Sequence, residues 1–331
     1  MRLLMLGGTE FVGRAIVESA LARDWHVTVF HRGRHPAPPG VTELLGDRTT
    51  PDGLAELAEG RWDMVVDTWS AAPSVVRDSA RLLAGRVERY VYVSSCSVYA
   101  APQPAGYDET APVVDGSADA GDVAYPEAKR GGELAVVEAF GEDRSLLVRA
   151  GLIIGPWENI GRLPWWLRRT ARGGPMTAPG PRDTPLQYID VRDLADWTLS
   201  AAAGWLSGPY NLVSEAGHTT VEGLLEACVR ATGAVPELRW TDPEVILAAG
   251  VEPWTDLPIW VPREQLPELH HAVHGVGVAK ALAAGLRCRP VGETVADTWE
   301  WLQSIGGEAP QRPDRPVVGL SEAAEAKLLG T

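Results

Sequence analysis

The 331-residue chain has few cysteines, few basic residues and no long apolar run. Its three cysteines, Cys96, Cys228 and Cys288, are scattered and lack the paired spacing of a zinc site. Separated thiols of this kind are typical of a protein from a reducing compartment. We therefore expect a cytoplasmic protein without a bound metal.

No stretch approaches the ~20 apolar residues that a membrane span requires. The apolar run Leu3-Leu4-Met5-Leu6 ends at Gly7-Gly8; it is too short for a secretory signal and fits a buried strand. The 30 basic against 44 acidic residues give a formal net charge of −14. This balance disfavours a nucleic-acid surface and an anionic membrane surface. We expect the protein to act on a small-molecule substrate and to be a monomer or homodimer.

A glycine-rich turn follows the first strand. It has the sequence Gly7-Gly8-Thr9-Glu10-Phe11-Val12-Gly13 and precedes an apolar pattern of helical period. In a dinucleotide-binding fold, this order turns backbone N–H groups and a helix N-terminus toward a pyrophosphate. The alternative is an ordinary tight turn between a strand and a helix.

The second predicted strand, residues 26–30, ends in His31-Arg32-Gly33-Arg34. An acidic residue at this position would bind the ribose 2′-hydroxyl of NAD, whereas arginine suits the 2′-phosphate of NADP. Arg32, with Arg34 as second choice, therefore favours NADP, with NAD as the other option. A solvated basic turn is the alternative.

Further strand patterns at residues 41–45, 63–67, 90–93 and 146–149 alternate with helical patterns at 75–83 and 125–140. This alternation predicts a parallel sheet with helices on both faces. Ligands bind at the carboxyl ends of the strands in such sheets. Candidate contacts there are Asp47 for an adenine edge and Thr68 and Trp69 beside a ribose. The serine-rich residues 94–97 end another strand.

Tyr125 and Lys129 are four residues apart and share one face of a predicted helix whose buried side includes Ala128, Leu134 and Val137. An ammonium group beside a phenol lowers the pKa of that phenol. A tyrosine with a lowered pKa can act as a general acid or base.

Beyond Pro156 the pattern changes to tryptophans, arginines and glycine-proline turns, which indicates a substrate lobe. Trp157, Arg162 and Trp166 are the candidate substrate contacts. For the tryptophans, including Trp165, the alternative is a place in the core of the lobe. For Arg162, Arg168, Arg169 and Arg172, the choice lies between a phosphate-bearing substrate and a solvated helix.

Several short motifs in one order resemble the extended short-chain dehydrogenase/reductase family, the NAD(P)-dependent epimerase/dehydratase and reductase group. They span residues 1–305 and lie at residues 7–13, 47, 67–68, 90–99, 125–129, 149–156 and 187–194. The resemblance implies an α/β fold with a doubly wound parallel sheet (Rossmann) and a smaller C-terminal substrate lobe. We expect the dinucleotide-binding domain at 1–155 plus about 187–214, the lobe at 156–186 plus about 215–305, and a C-terminal tail at 306–331.

The resemblance also implies roles for matching residues. Ser95 would hydrogen-bond the substrate oxygen, Tyr125 would transfer the proton, and Lys129 would bind the nicotinamide ribose and support Tyr125. The expected cofactor contacts are Gly7, Thr9, Phe11, Val12, Gly13, Arg32, Asp47, Thr68, Trp69, Tyr125, Lys129, Ala150 and Ile153.

Two positions depart from the family pattern. Glu10 stands where glycine is usual, and we expect its side chain to face solvent or an arginine such as Arg32. Cys96-Ser97 stands where sugar 4,6-dehydratases look to have an acidic pair, so dehydration is not expected. Cys96 is interpreted as a packed, inert thiol. A cluster of His270, His271 and His274 has no partner motif for a metal and is interpreted as structural.

The resulting expectation is an NADP-dependent oxidoreductase that moves hydride between nicotinamide and a carbonyl or secondary alcohol carbon. A nucleotide-sugar epimerase with tightly bound NAD(P) is the alternative within the enzyme class. The alternative of another class is a non-catalytic cofactor- or RNA-binding protein, because some family branches with a similar Gly-Gly-Thr-x-Phe start look like nucleic-acid binders.

Overall fold

The computed structural model describes residues 1–330 and is built around a parallel β-sheet. The strands, in chain order, are β1 (Arg2–Leu6), β2 (His26–His31), β3 (Thr42–Leu45), β4 (Trp62–Asp67), β5 (Val87–Ser95), β6 (Ser145–Ala150), β7 (Ile153–Ile154), β8 (Pro175–Pro179), β9 (Pro185–Leu186), β10 (Ile189–Asp190), β11 (Gly208–Leu212), β12 (Thr219–Thr220) and β13 (Glu237–Thr241). The helices are α1 (Phe11–Leu21), α2 (Pro73–Leu83), α3 (Tyr125–Phe140), α4 (Arg162–Arg172), α5 (Val191–Ala203), α6 (Val221–Thr232), α7 (Pro243–Ala248), α8 (Pro267–His274), α9 (Ala279–Ala283), α10 (Val291–Ser304) and α11 (Glu322–Leu329).

The main sheet has seven strands in the order β3-β2-β1-β4-β5-β6-β11. Every neighbouring pair is parallel, as the alternation of strand and helix patterns predicted. The chain leaves β1 toward β2 on one side and returns to β4 on the other. This reversal creates the crevice in which doubly wound folds bind dinucleotides. The predicted fold class is confirmed.

Helices cover both faces of the sheet. Helices α1 and α5 pack on one face and α2 and α3 on the other. Strands buried on both faces need apolar residues at consecutive positions, and this explains runs such as Leu3-Leu4-Met5-Leu6 in β1. No helix within residues 1–330 has the length and apolar character needed to cross a membrane.

The remaining elements form a lobe with its own core. Helices α4, α6 and α10 pack together beside the parallel pair of β8 and β13. The segment expected as a separate tail contacts this lobe, because α11 lies against β8 and Leu320 joins the lobe core. The short pair of β7 and β10 connects strand β6 of the sheet to the lobe.

Candidate active site

A cavity of about 1250 Å³ is lined by the carboxyl edge of the sheet and by residues of the lobe. It brings together most of the residues singled out from the sequence. The predicted residues that line it are Gly7, Thr9, Phe11, Val12, Gly13, Arg32, Asp47, Thr68, Trp69, Ser95, Tyr125, Lys129, Ala150, Ile153 and Arg162.

Two predicted substrate contacts lie elsewhere. Trp166 is buried in the lobe core, where its indole N–H donates to the Pro258 carbonyl at 2.7 Å. Trp157 lies outside the cavity and stacks beneath the Arg14 guanidinium at 5.0 Å. Neither indole can contact a ligand in the cavity, so we correct the substrate set to exclude both. Trp166 therefore lies in the core of the lobe, whereas Trp157 packs against the core formed by α1, α5 and the sheet.

The glycine turn leaves the first turn of α1 open to a ligand. Gly7 has a φ of +105°, a conformation that residues with a side chain rarely adopt. Gly13 lies so close to the turn that a Cβ atom there would be 2.7 Å from the Gly8 nitrogen. Glu10 precedes α1 but makes no side-chain hydrogen bond to the first turn, so those N–H groups remain available to an anion. This cradle fits the pyrophosphate of NAD(P).

Replacing Gly13 with alanine should displace the turn, because the new methyl group would meet the Gly8 backbone rather than a movable side chain. Overpacking of this kind costs ~1–3 kcal/mol, so we expect a roughly tenfold to hundredfold weaker affinity for the cofactor. Gly85→Ala is the matched control, since a Cβ atom there has nothing within 4 Å. Titration of protein fluorescence with NADPH measures both. Equal affinities for the two variants would contradict the role of Gly13.

Basic side chains surround the end of β2. Arg32 and Arg34 are exposed and line the cavity, and their charges help to lower the pKa of Asp47. The larger cause of that lowered pKa is Thr49, whose hydroxyl and N–H both donate to the Asp47 carboxylate. Glu10 is exposed, and its carboxylate lies 3.7 Å from the Nε2 atom of His35 rather than beside Arg32. Among the described residues, Glu10 therefore does not form an ion pair with Arg32.

At the serine-rich end of β5, some side chains bond to the protein interior and others lie at the cavity. The Ser94 hydroxyl donates to the buried Glu133 carboxylate at 2.8 Å, and the Cys96 thiol donates to the Arg149 carbonyl at 3.2 Å. Burial raises the pKa of Cys96 to about 12, which keeps the thiol protonated and unreactive. The Ser95 hydroxyl, by contrast, contacts only Ser97, at 3.1 Å, beside the cavity.

Lys129 is buried beneath the cavity floor. Its ammonium donates to the carbonyls of Trp69 and Val93, each at 2.7 Å, and lies 4.8 Å from the Tyr92 ring centroid. Burial lowers the pKa of Lys129 to about 7, the Asp67 charge opposes this effect, and the charge of Arg315 adds to it. Lys129 lies one helical turn from Tyr125 on α3, and both residues line the cavity.

A buried ion pair holds the Thr68-Trp69 loop. Arg48 donates two hydrogen bonds to the Asp67 carboxylate, at 3.0 and 2.7 Å. The same carboxylate accepts from the Tyr90 hydroxyl and from the Trp69 N–H. Because the Trp69 carbonyl then accepts from Lys129, this network fixes one of the two acceptors that position the ammonium.

The histidine cluster has a structural role. His270 and His274 are buried, and their rings bond the carbonyls of Val261 and Ile259. The Gln187 N–H donates to the other ring nitrogen of His274. Within residues 1–330, no group of three or more His, Cys, Asp or Glu side chains could hold a metal ion.

Several cavity residues were not found from the sequence. Trp254 comes from the lobe, and Gln311, Arg312 and Arg315 come from the segment expected as a tail. The Arg315 guanidinium lies 4.7 Å from the centroid of the Tyr125 ring. A proline-rich stretch without periodicity gives no signal for such a placement, since nothing local specifies which surface it crosses.

Comparison with known proteins gives a matching family model and relatives with similar sequences. The sequence model of the NAD dependent epimerase/dehydratase family matches residues 3–212. The chain is 25% identical over 272 residues to the chloroplast stem-loop binding protein of 41 kDa b from Arabidopsis thaliana, covering 74% of this chain and 65% of that protein. It is 33% identical over 189 residues to the 2′-dehydrokanamycin reductase of Streptomyces kanamyceticus, covering 53% of this chain and 50% of that protein. The chain thus spans about half to two thirds of the length of these relatives.

A solved structure shows the same fold. The Thermus thermophilus UDP-glucose 4-epimerase in complex with NAD superimposes with a TM-score of 0.61 at 22% identity. The superposition covers 91% of this chain and 99% of that one.

Proposed function

The chain belongs to the NAD dependent epimerase/dehydratase family of NAD(P)-using enzymes, and we propose that it is an NADP-dependent reductase acting on a carbonyl or secondary alcohol carbon. The observation that supports this most is the shared cavity, in which Ser95, Tyr125 and Lys129 lie with the glycine turn and Arg32. The free thiols suit a reducing compartment, so a cytoplasmic location is part of the proposal.

In the proposed mechanism, Ser95, Tyr125 and Lys129 have different roles. Ser95 binds the substrate oxygen, and the Tyr125 hydroxyl transfers the proton to or from that oxygen. Lys129 is fixed by two carbonyls, and burial lowers its pKa to about 7; in its protonated form it would place a positive charge near Tyr125, and it would contact the ribose of a bound cofactor. When bound, the nicotinamide supplies the hydride. The protein supplies orientation and the proton path.

The preference for NADP rests on Arg32. In this proposal, Arg32 pairs with the 2′-phosphate, and Arg32→Ala should weaken NADPH binding about 10–100-fold, since a charge-assisted hydrogen bond contributes ~1.5–3 kcal/mol. NADH, which lacks that phosphate, should bind both proteins equally. Arg61→Ala is the control, because Arg61 is exposed and lies outside the cavity. Equal loss for NADPH and NADH would contradict a contact to the 2′-phosphate.

Epimerisation of a nucleotide sugar is the alternative within the enzyme class, supported by the likeness in fold to the UDP-glucose 4-epimerase. An epimerase returns its hydride and keeps its cofactor bound, whereas a reductase exchanges the cofactor in each turnover. Mass and absorbance of any nucleotide in the purified protein separate the two. Co-purified NAD would favour the epimerase and contradict the role assigned to Arg32.

A binding protein without catalysis is the alternative of another class, because one relative is named as a stem-loop binding protein. The net charge of −14 disfavours binding to a polyanion. Filter binding with a stem-loop RNA, in parallel with NADPH titration, tests this alternative. RNA binding that survives Tyr125→Phe together with an absence of any reductase activity would favour it.

A further inference from the structure

The chain after α10 crosses the lobe and forms one wall of the cavity. We name residues 307–320 the C-terminal strap. Its Arg312 N–H donates to the Asn159 carbonyl at 3.1 Å, and its Gly319 N–H donates to the Thr255 carbonyl at 2.8 Å. A hydrogen bond in the middle of the strap and another near its end therefore hold it against the lobe.

Helix α11 anchors the strap from behind. Its Glu325 is buried and accepts hydrogen bonds from the side chains of Arg169 and Arg172, at 2.6 and 2.8 Å. The same carboxylate accepts from the Thr177 N–H at 3.1 Å. A buried carboxylate with three donors fixes the end of the chain to the lobe. The strap is thus part of the folded site.

Two guanidinium groups in the cavity wall have no carboxylate partner among residues 1–330, since none lies within 4.0 Å of either. Arg315 of the strap lies 4.7 Å from the Tyr125 ring centroid, and Arg162, which begins α4, lies 4.7 Å from that of Trp254. The Nε atom of each is buried without a hydrogen-bond partner. By contrast, Arg312 is paired with Asp314 at 3.0 Å.

The acidic group that acts most on this pair is Glu158, whose charge favours that of Arg162 without an ion pair between the two side chains. The Glu158 carboxylate is buried and accepts from the backbone N–H groups of Arg162 and Leu163, at the start of α4. Burial raises the pKa of Glu158 to about 7, so this carboxyl group is only partly charged near neutral pH. Burial is the main cause that lowers the pKa of Arg162; the charge of Glu158 opposes this effect and the charge of Arg315 adds to it. Acidic residues such as Glu268 and Asp314 also line the cavity, but among the described residues none forms an ion pair with Arg162 or Arg315.

We propose that Arg162 and Arg315 together bind one oxyanion group of the substrate, a carboxylate or a phosphate, next to the carbon whose oxygen Tyr125 serves. Guanidinium groups bind such groups through paired hydrogen bonds, and a dry, partly enclosed site strengthens them. An anion would satisfy the buried Nε donors and relieve the repulsion between the two charges. This inference rests on the proposed function, because Tyr125 marks the reacting carbon.

The cofactor is the other possible source of an oxyanion. Its pyrophosphate fits the glycine turn and its 2′-phosphate fits Arg32, whereas these two arginines come from the lobe and the strap. Binding of a probe anion with saturating NADP present separates the two sources. Retained binding assigns the site to the substrate, and competition with NADP would overturn the proposal.

The test uses the full chain, with inorganic phosphate and acetate as probes and tryptophan fluorescence as the readout, since Trp254 lies beneath Arg162. Arg162→Gln and Arg315→Gln should each weaken binding of the preferred probe about 10–100-fold. Arg315→Lys should retain part of the affinity, because it keeps the charge but loses the planar fork. Arg230→Gln is the control and should change nothing, because Arg230 is exposed on α6, pairs with Glu226 of the same helix and lies outside the cavity.

The preferred probe identifies the group, phosphate or carboxylate. Binding of neither probe, or equal binding by the Gln variants, would overturn the proposal. Unchanged melting temperatures and circular dichroism of the variants exclude misfolding as the cause. The assay needs no turnover, so an inactive protein that still binds the anion through these arginines would contradict only the proposed function. An active protein with no anion site would contradict only this inference.

Discussion

Tyr125→Phe should lower kcat about 10²–10⁴-fold, the usual contribution of a positioned general acid or base. The change removes the phenolic oxygen and keeps the ring, so the stacking of Arg315 over that ring at 4.7 Å is retained. Lys129 also keeps its two carbonyl acceptors, because neither involves Tyr125. We therefore expect NADPH affinity to be nearly unchanged. The measurement is NADPH oxidation, followed by its absorbance, with panels of carbonyl substrates, together with a fluorescence titration of NADPH.

Tyr210→Phe is the control for this change. Tyr210 is buried in β11, lies outside the cavity and packs its ring against Trp197. Its loss of a hydroxyl should leave kcat unchanged. Full activity of Tyr125→Phe would remove the proton-transfer step from the proposed mechanism, even if the cofactor still binds. Loss of both activity and NADPH binding would instead indicate a disturbed fold.

Local patterns were sufficient for the central part of the fold. The strand predicted at residues 2–6 is observed as β1, and the helix predicted from Tyr125 to about residue 140 is observed as α3. Both signals depend on near neighbours, since an apolar run and a proline in the first helical turn act within a few residues. The alternation of strand and helix also predicted the parallel sheet with helices on both faces, whereas the order of its strands comes from the structure.

The sequence did not predict contacts between residues that are far apart in the chain. The interpretation of Trp166 as a substrate contact failed because a tryptophan in an amphipathic helix gives the same pattern for a core and for a pocket wall. The position of Arg315 depends on where α11 docks, and Glu325 is 156 residues from its partner Arg169. No periodicity encodes a pairing over that distance.

The buried face of α3 shows a further limit of prediction from a helical pattern. Its apolar residues Leu134 and Val137 were expected on the buried side, but the structure leaves both half-buried and buries Glu133 completely. Charged residues are almost never fully buried unless they are paired. The partners are Arg149, which lies in β6 and donates to Glu133 at 2.9 and 3.0 Å, and Arg130, which lies three residues earlier on α3 and donates at 3.0 Å. A helix pattern alone cannot identify a partner on a strand.

Glu133→Gln should therefore destabilise the protein by about 3–5 kcal/mol, the range observed when one partner of a buried ion pair is removed. The change leaves the Arg149 guanidinium buried without a counter-charge and weakens the acceptor of the Ser94 hydroxyl. Urea unfolding followed by circular dichroism measures the loss. Ser94 adjoins Ser95, so we also expect lower activity well below the unfolding transition.

The matched control lies on the same helix. Glu138 pairs with Arg81 at 3.9 Å, and both side chains are more than half exposed, at 63% and 60%. Glu138→Gln should change the free energy of unfolding by less than about 1 kcal/mol, because solvent screens an exposed pair. The difference between the two variants isolates burial as the cause, since the substitution and the helix are the same. Similar losses of stability in both would mean that the Glu133–Arg149 pair does not hold α3 to the sheet in the way its geometry implies.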